Sequence, residues 1–353
     1  MQAISLDIGT SGIRGQLLDI KERKVLRTCV MSRNPLPGAN VMDHLTFAIE
    51  RGLPLAHSIL IRSVERMIQA LSPGEVKRIA VCGNPIQLSL FERVDVRDLA
   101  YAGRSYLESH GIVPLDRKGH VISAEDIGLC MDAEVIIPPS VRHEVGADAL
   151  AMMIKSGFLE DDRCIVTDYG TNAEMALKVG DDIYTGSAAA GPAIEGQHIR
   201  YGILASPGAI SDMVRIPEGW RNIVLDSHLR PEDGSLFNLR ANTLKLQGAR
   251  ARGITGTGVI ALLYAGLMEG RIVLPRIIGD EIVVDRGIKF TSADLVEAGK
   301  AIGAIRAGHM TLMVEAGMDP RDLGTMYMAG ASGTCVDAMK ARYVGMLPPS
   351  AEK

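Results

Sequence analysis

Two short stretches of the sequence share one pattern of an aspartate, a glycine and a hydroxyl residue. Residues 6–15 read LDIGTSGIRG, and residues 167–175 read TDYGTNAEM, so that Asp168 follows Asp7 by 161 positions. Backbone amides in a glycine turn, with hydroxyl and amide side chains beside them, can donate hydrogen bonds to phosphate oxygens. An aspartate just before such a turn can bind a Mg²⁺ ion that the phosphates hold, directly or through water. The pattern predicts a phosphate site that uses both turns.

The residues that follow each turn keep the apolar alternation of a strand, IRGQLLDI after the first and AEMALKV after the second. Both turns are therefore predicted at the tips of β-hairpins, whereas the common phosphate loops lead into a helix. An aspartic protease also carries one aspartate in each of two lobes. That site has a hydroxyl residue directly after the aspartate, where this sequence has Ile8 and Tyr169, which argues against it.

The elements that must position these turns repeat along the chain. Residues 2–31 predict three strands, residues 41–71 an amphipathic helical segment that Gly52 and Pro54 divide, and residues 77–84 a buried strand. Residues 143–157 predict a helix, after which three more strands follow from Cys164. The order predicts a duplicated α/β chain, with an N-terminal lobe over residues 1–157 and a C-terminal lobe over residues 158–353.

Other motifs of the second half allow more than one interpretation. The loop GITGTG, residues 253–258, precedes a predicted helix over residues 259–270; it either binds an anion or lets that helix pack closely on a sheet. Glu195 and His198 either line a cleft or a partner surface, or belong to a hydrogen-bond network of the loop. The polar segment RPEDGS, residues 230–235, predicts an exposed turn without chemistry. A further helix is predicted over residues 292–317.

Composition narrows the classes of partner and the compartment. The chain has 38 Lys and Arg against 42 Asp and Glu, a formal net charge of −4. No basic field exists to attract nucleic acid or an anionic membrane, and we expect neither partner. The five cysteines are far apart, without the spacing of a zinc site or an iron-sulfur cluster. With no signal sequence and no apolar run of membrane-spanning length, the expected compartment is the cytoplasm.

The paired hairpins, with the later strand-turn-helix motif MAGASGT, resemble the phosphate-1, phosphate-2 and adenosine elements of the actin, Hsp70 and sugar-kinase ATPase superfamily. The run GSAAAGPAIEGQHIRYGILASPGAI, residues 186–210, resembles a signature of the ATP-dependent reductive activators of corrinoid proteins. Among these the chain is most similar to methanogenesis marker protein 14. The resemblance extends from Met1 to about Pro348 and implies a bilobed, RNase-H-like (actin-like) fold with mixed sheets.

The resemblance also implies roles for individual residues. Phosphate-1 would comprise Asp7, Gly9, Thr10, Ser11 and Gly12; phosphate-2, Asp168, Gly170, Thr171 and Asn172; and the adenosine turn, Gly330, Ala331, Ser332 and Gly333. The cofactors would be ATP and Mg²⁺, with Asp7 and Asp168 holding the metal, partly through water. Asp148, or as second choice Glu144, on the helix before phosphate-2, would orient the attacking water.

The function that this implies is ATP binding and hydrolysis, with lobe closure acting on a corrinoid or other metalloprotein, as in methanogenesis-related methyl transfer. The chain lacks the iron-sulfur domain of the corrinoid activators, so no cluster is expected and a separate electron donor is required. A homodimer is also compatible with the sequence. The chain ends soon after the adenosine turn, so either it is C-terminally shortened or the nucleotide pocket is incomplete. The alternatives are a small-molecule kinase of the same superfamily and a non-catalytic regulatory or assembly module.

Overall fold

A computed structural model describes residues 1–38, 40–101, 104–140, 145–170, 172–189, 198–333 and 335–349. The chain divides into two compact units, Met1–Lys155 and Ser156–Lys353. Each unit has a hydrophobic core of its own. No described helix combines the length and the apolar character needed to span a bilayer.

The first unit is built on one mixed sheet. Its strands are β1 Gln2–Ile8, β2 Ile13–Asp19, β3 Lys24–Met31, β4 Val76–Gly83, β5 His120–Ser123 and β6 Glu134–Ile137. They lie in the order β3-β2-β1-β4-β6-β5. The pairs β1/β2, β2/β3 and β5/β6 are antiparallel, whereas β1/β4 and β4/β6 are parallel. The turns after β1 and β4 therefore open at the same edge of the sheet.

Helices cover this sheet and connect its parallel strands. They are α1 Val41–Arg51, α2 Leu53–Leu71, α3 Pro85–Glu92, α4 Arg97–Ala100, α5 Arg104–Ser109 and α6 Ala147–Ser156. The predicted division of the long helical segment is confirmed: Gly52 has a positive φ of 98° between α1 and α2, and Pro54 occupies the first turn of α2. Asn40 begins α1 with a capping box that it shares with Asp43.

The second unit contains a four-stranded and a five-stranded sheet with two small hairpins. Its strands are β7 Cys164–Tyr169, β8 Asn172–Val179, β9 Asp182–Ala189, β10 Ala209–Ile216, β11 Gly219–Leu225, β12 Pro231–Asn238, β13 Thr243–Lys245, β14 Gly253–Ile254, β15 Ile272–Val273, β16 Arg276–Ile277, β17 Glu281–Asp285, β18 Ile288–Thr291 and β19 Thr325–Ala329. Its α-helices are α7 Gly256–Met268, α8 Ser292–Glu315, α9 Gly330–Gly333 and α10 Ala338–Tyr343. The larger sheet has the order β13-β12-β11-β10-β14.

The predicted duplication is confirmed by the sheets. The first unit contains the order β3-β2-β1-β4, and the four-stranded sheet of the second unit has the order β19-β7-β8-β9. In each unit three antiparallel strands follow one another in sequence, and a strand from later in the unit lies parallel to the first of them. This is the duplicated α/β fold with mixed sheets that the sequence predicted.

Three sequence predictions about individual elements are wrong. The helix expected over residues 143–157 begins at Ala147; Val145 and Gly146 precede it, and residues 143 and 144 lie outside the described residues. The helix expected from Val259 already begins at Gly256, where the Thr255 side chain caps it. The turn expected over residues 230–235 is largely strand β12, because Gly234 and Ser235 are buried in the five-stranded sheet.

Candidate functional site

The first Asp-x-Gly-Thr turn joins β1 to β2 in the first unit. Ile8 pairs with Ile13, which leaves a four-residue loop whose Gly9 amide donates a hydrogen bond of 3.0 Å to the Gly12 carbonyl. Gly12 cannot carry a side chain, since a Cβ there would lie 2.3 Å from the Met31 carbonyl oxygen. The predicted hairpin tip is thus present, and the end of β3 packs directly against it.

Asn34, which follows β3, donates hydrogen bonds to two backbone carbonyls of this turn. Its side-chain amide donates to the Gly9 carbonyl at 2.8 Å, and its backbone amide donates to the Ser11 carbonyl at 2.8 Å. In a trans peptide the N–H points opposite to the C=O. The amides of Thr10 and Gly12 therefore point away from Asn34, in the direction from which an anion can approach the turn.

A buried polar network lies behind Asn34. Its side-chain amide also lies 3.3 Å from Gln87 Oε1, and Gln87 Nε2 donates to His44 Nδ1 at 2.7 Å. His44 and Gln87 are fully buried, and burial lowers the pKa of His44. A neutral His44 whose Nδ1 accepts a hydrogen bond fits this arrangement. The network leaves Asn34 one orientation, with its donors toward Gly9.

Asp148 belongs to the same unit as the first turn. Asn84 caps α3 and donates to the Thr10 hydroxyl at 3.0 Å. A Cβ on Gly146 would lie 2.6 Å from the Gly83 carbonyl oxygen and 2.8 Å from both Asn84 Cα and Asp148 Oδ1. The start of α6, which bears the half-buried Asp148, therefore packs on the segment that holds Thr10. The second choice for the water-orienting residue, Glu144, lies outside the described residues.

Asp7 is half-buried on β1, directly across from Arg14 on β2. The two side chains form an ion pair of 3.4 Å. Burial raises the pKa of the Asp7 carboxyl, and the charge of Arg14 offsets part of that rise. No group of three or more histidine, cysteine or acidic side chains is arranged to hold a metal in the part of the chain that the structure describes. An Mg²⁺ ion here would depend on phosphate and water for most of its ligands, as Mg²⁺ does in nucleotide sites.

The second turn, in the second unit, is one residue shorter than the first. Tyr169 pairs with Ala173, and the Gly170 amide donates to the Asn172 carbonyl at 3.0 Å. Thr171 lies outside the described residues. Asp168 pairs with Glu174 on one side and with Ala329 of β19 on the other.

The predicted adenosine turn lies against this aspartate. Gly330 and Gly333 delimit the short helix α9; Ala331 and Ser332 lie between them. A Cβ on Gly330 would lie 2.1 Å from Asp168 Oδ1, and one on Gly333 would lie 2.9 Å from the Tyr169 ring. Within the second unit, the fold therefore places Gly330 and Gly333 against Asp168 and Tyr169.

Behind β7, Thr167 and His309 form a fully buried pair. Thr167 Oγ1 lies 2.9 Å from His309 Nε2 on α8. Burial lowers the pKa of His309 to about 4, so the imidazole is neutral at neutral pH. Thr167 immediately precedes Asp168, and the pair fixes the strand from which Asp168 projects.

Sequence reasoning missed Asn34, Asn84, Gln87 and His44 as parts of the first site. One signal was available: the sequence has Asn-Pro within three residues of the end of two strands, in RNPLP after β3 and in GNPIQ after β4. In both places an asparagine whose backbone is restricted by the proline donates its side-chain amide to the first turn.

The two units and their paired turns define the class of actin-like ASKHA domains. Residues 162–353 match the family described as the C-terminal domain of RACo, the ASKHA domain, and residues 2–161 match the RACo middle region. The chain belongs to the RACo family. The resemblance to the reductive activators of corrinoid proteins is thereby confirmed.

Two relatives and one solved structure extend this result. The chain is 49% identical over 363 residues to the [Co(II) methylated amine-specific corrinoid protein] reductase of Methanosarcina barkeri, covering 100% of this chain and 67% of that protein. It is 25% identical over 372 residues to the corrinoid activation enzyme RamQ of Eubacterium limosum, covering 98% of this chain and 60% of that one. A solved structure of a reductive activator for corrinoid, iron-sulfur protein has the same fold, with a TM-score of 0.76, 24% identity, and coverage of 99% of this chain and 58% of that chain. The chain thus spans about three fifths to two thirds of these proteins.

Proposed function

We propose that this chain binds ATP with Mg²⁺ through its two Asp-x-Gly-Thr turns, hydrolyses it, and uses the resulting conformational change to activate a corrinoid protein. The observation that supports this most is the first turn, in which hydrogen bonds from Asn34 hold the Gly9 and Ser11 carbonyls, so that the amides of Thr10 and Gly12 point the other way. Amides held in one direction need no reorganisation to bind phosphate oxygens. Membership of the RACo family supplies the partner class, and the cytoplasm is the compartment we propose.

The residues have separate roles in this proposal. Thr10, Ser11, Thr171 and Asn172 bind phosphate oxygens, Gly170 allows the tight turn between them, and residues 330–333 border the adenosine. Asp7 and Asp168 hold Mg²⁺ or its waters. Asp148 orients the water that attacks the γ-phosphorus, with ADP as the leaving group. Positioning and charge neutralisation provide most of the catalysis in phosphoryl transfer.

Reduction of the corrinoid cobalt requires an electron that ATP does not supply. The five cysteines of this chain are dispersed without the spacing of an iron-sulfur cluster. We therefore propose that the electron comes from a separate donor. ATP would contribute free energy through its different affinity for two conformations; reversing a two-state equilibrium from 1:99 to 99:1 takes about 5.5 kcal/mol.

The test is calorimetric titration of ATP into the chain with and without Mg²⁺, using wild type, Asp7→Ala and Asp168→Ala. Asp132→Ala is the matched control, because Asp132 is an exposed carboxylate that pairs with Lys77. We expect Mg²⁺-dependent binding that both site variants lose and the control retains. Absence of binding to wild type would refute the proposal. ATP turnover that requires a small-molecule acceptor would support the kinase alternative instead.

A further inference from the structure

A cavity of about 530 Å³ in the second unit is rich in arginine. It is lined by Tyr201, Arg250, Arg252 and Arg286, with buried Ala251 and Ile288 beneath them. We call it the arginine pocket. Its volume is in the range of small-molecule sites. It lies apart in sequence from both Asp-x-Gly-Thr turns and from residues 330–333.

The three arginine side chains of this pocket have no ionic partner among the residues that the structure describes. The guanidinium groups of Arg250, Arg252 and Arg286 form no ion pair or hydrogen bond with any residue that the structure describes. Elsewhere in the unit Arg221 pairs with Asp233, and Arg240 with Glu269. Three like charges around one cavity repel one another, and an anion bound between them would relieve that repulsion.

Hydrogen bonds fix the backbone on the Tyr201 side of the pocket. The Ile254 amide donates to the Tyr201 carbonyl at 2.8 Å, and the Arg252 amide donates to the Gly208 carbonyl at 2.7 Å. A Cβ on Gly253 would lie 2.6 Å from the Tyr201 carbonyl oxygen. Tyr201 and Arg252 are therefore held side by side. The Arg200 guanidinium lies 5.5 Å from the Tyr201 ring centroid and adds a fourth positive charge nearby.

A buried carboxylate anchors the opposite side. Asp285, only 2% exposed, accepts hydrogen bonds from the Arg286 amide at 2.6 Å and the Ser235 hydroxyl at 3.3 Å. Asn222 Nδ2 lies 3.5 Å from its other oxygen. Burying a carboxylate is costly unless such partners satisfy it. Here the buried cluster attaches the turn that bears Arg286 to β11 and β12, so the backbone of Arg286 is fixed as that of Arg252 is.

We infer that the arginine pocket binds a small molecule that carries two or more phosphate groups. A guanidinium is planar, always charged, and donates two parallel hydrogen bonds to phosphate oxygens. Three of them around one cavity, two on backbones that hydrogen bonds fix, match a multiply charged ligand better than a single carboxylate. The concave shape favours a small molecule over a flat acidic protein surface. This inference does not depend on nucleotide binding at the two turns.

The experiment is calorimetric titration of the whole chain with inorganic pyrophosphate. Arg252→Gln and Arg286→Gln each remove one pocket charge, and Arg276→Gln is the matched control, an exposed arginine of the same unit outside the pocket. We expect saturable binding that each pocket variant weakens about tenfold or more and the control leaves unchanged.

Four results would overturn the inference. They are no saturable binding, binding that Arg252→Gln and Arg286→Gln both retain, equal weakening by Arg276→Gln, and binding of citrate as tight as that of pyrophosphate. A polyglutamate peptide that binds through the same arginines while pyrophosphate does not would assign the pocket to an acidic protein partner instead. Circular dichroism of each variant verifies that these exposed substitutions leave the fold intact.

Discussion

The side-chain amide of Asn34 donates a hydrogen bond of 2.8 Å to the carbonyl oxygen of Gly9. A residue beyond the third strand thereby sets the conformation of the turn between the first two. The same side chain accepts from the Leu36 amide at 2.9 Å through Oδ1, which fixes which end of the amide faces Gly9. In the proposed function, phosphate binding at this turn therefore depends on a residue that is not itself expected to touch phosphate.

Asn34→Asp should separate this role from simple packing. The carboxylate keeps the acceptor for Leu36 but loses both donors and places negative charge beside the Gly9 carbonyl. We expect ATP to bind about tenfold more weakly or worse, and the free energy of unfolding to fall by about 1–3 kcal/mol. Calorimetry and urea denaturation measure the two quantities.

Ser89→Ala is the control for Asn34→Asp. Ser89 is buried on α3, donates to the Pro85 carbonyl at 2.7 Å and accepts from Arg117 at 2.8 Å, away from the turn. It should lose stability while its ATP affinity stays at the wild-type value. If both variants weakened ATP binding equally, Asn34 would have no special role in the turn.

Gln87→Leu tests whether the buried network acts as a unit. The substitution leaves a donor of Asn34 and the Nδ1 atom of His44 without their present partner, at a cost of about 1–3 kcal/mol of stability. ATP affinity should fall less than in Asn34→Asp, because the Asn34 bond to Gly9 remains. In a double-mutant cycle the two substitutions should be non-additive by more than about 0.5 kcal/mol. Additive effects would contradict the network.

The parts of this site that the sequence predicted are those set by local pattern. Alternating apolar residues on both sides of a glycine turn predict a hairpin, so the sequence correctly predicted Gly9 and Gly170 at the tips of two hairpins. Asn34 and Asn84 were missed because an asparagine before proline after a strand is typical of any turn. Only the sheet order, which places the ends of β3 and β4 beside the first turn, gives these two residues their role.

In the second unit, pairing between strands that are far apart in sequence creates contacts that the sequence did not indicate. The close approach of Gly330 to Asp168 follows from the parallel pairing of β19 with β7, across a large separation in sequence. Polar composition likewise predicted a turn at residues 230–235. Tertiary packing overrides that preference. A Cβ on Gly234 would lie 2.8 Å from a Val224 methyl group, so only glycine fits at this position in the interior of the strand.

Asp7→Asn should increase stability at neutral pH while abolishing Mg²⁺-dependent ATP binding. The pKa of Asp7 is raised in the folded chain, so its carboxyl stabilises the fold below its unfolded-state pKa and costs stability once pH exceeds the folded pKa. The side chain is 37% exposed, which limits the gain to less than about 1 kcal/mol. Thermal denaturation at pH 7 and at pH about 3.5 measures it, and the gain should shrink at the lower pH.

Asp132→Asn is the control of opposite sign. Lys77 lowers the pKa of the Asp132 carboxyl, so removing its charge should not increase stability at pH 7. A stability loss in Asp7→Asn at pH 7 would show that the ion pair with Arg14 outweighs the burial of Asp7, contrary to this prediction.

His309→Gln should reduce the dependence of the free energy of unfolding on pH in the acidic range. Burial lowers the pKa of His309 to about 4, so the unfolded chain binds a proton that the folded chain does not between pH about 6.5 and about 4. Stability is therefore lost as pH falls through that window, by about 3 kcal/mol from this group. Urea denaturation across this range should show the loss in wild type and in the exposed-residue control His228→Gln. An unchanged slope in His309→Gln would refute this assignment.

Gly330→Ala should damage the second unit's part of the site. Gly330 has a φ of +80°, which disfavours any side chain, and an added Cβ would lie 2.1 Å from Asp168 Oδ1. Asp168 or the strand end must move, so we expect a loss of about 2 kcal/mol or more in unfolding free energy together with weaker ATP binding. Gly299→Ala is the matched control: Gly299 lies within α8 with open space around its Cβ position, and alanine there should stabilise the helix by about 0.5–1 kcal/mol without changing ATP affinity. Both variants add a single methyl group to the same unit, so opposite effects on stability would assign the loss to the contact with Asp168. If Gly330→Ala bound ATP as tightly as wild type, the contact between Gly330 and Asp168 would contribute to packing but have no part in nucleotide binding.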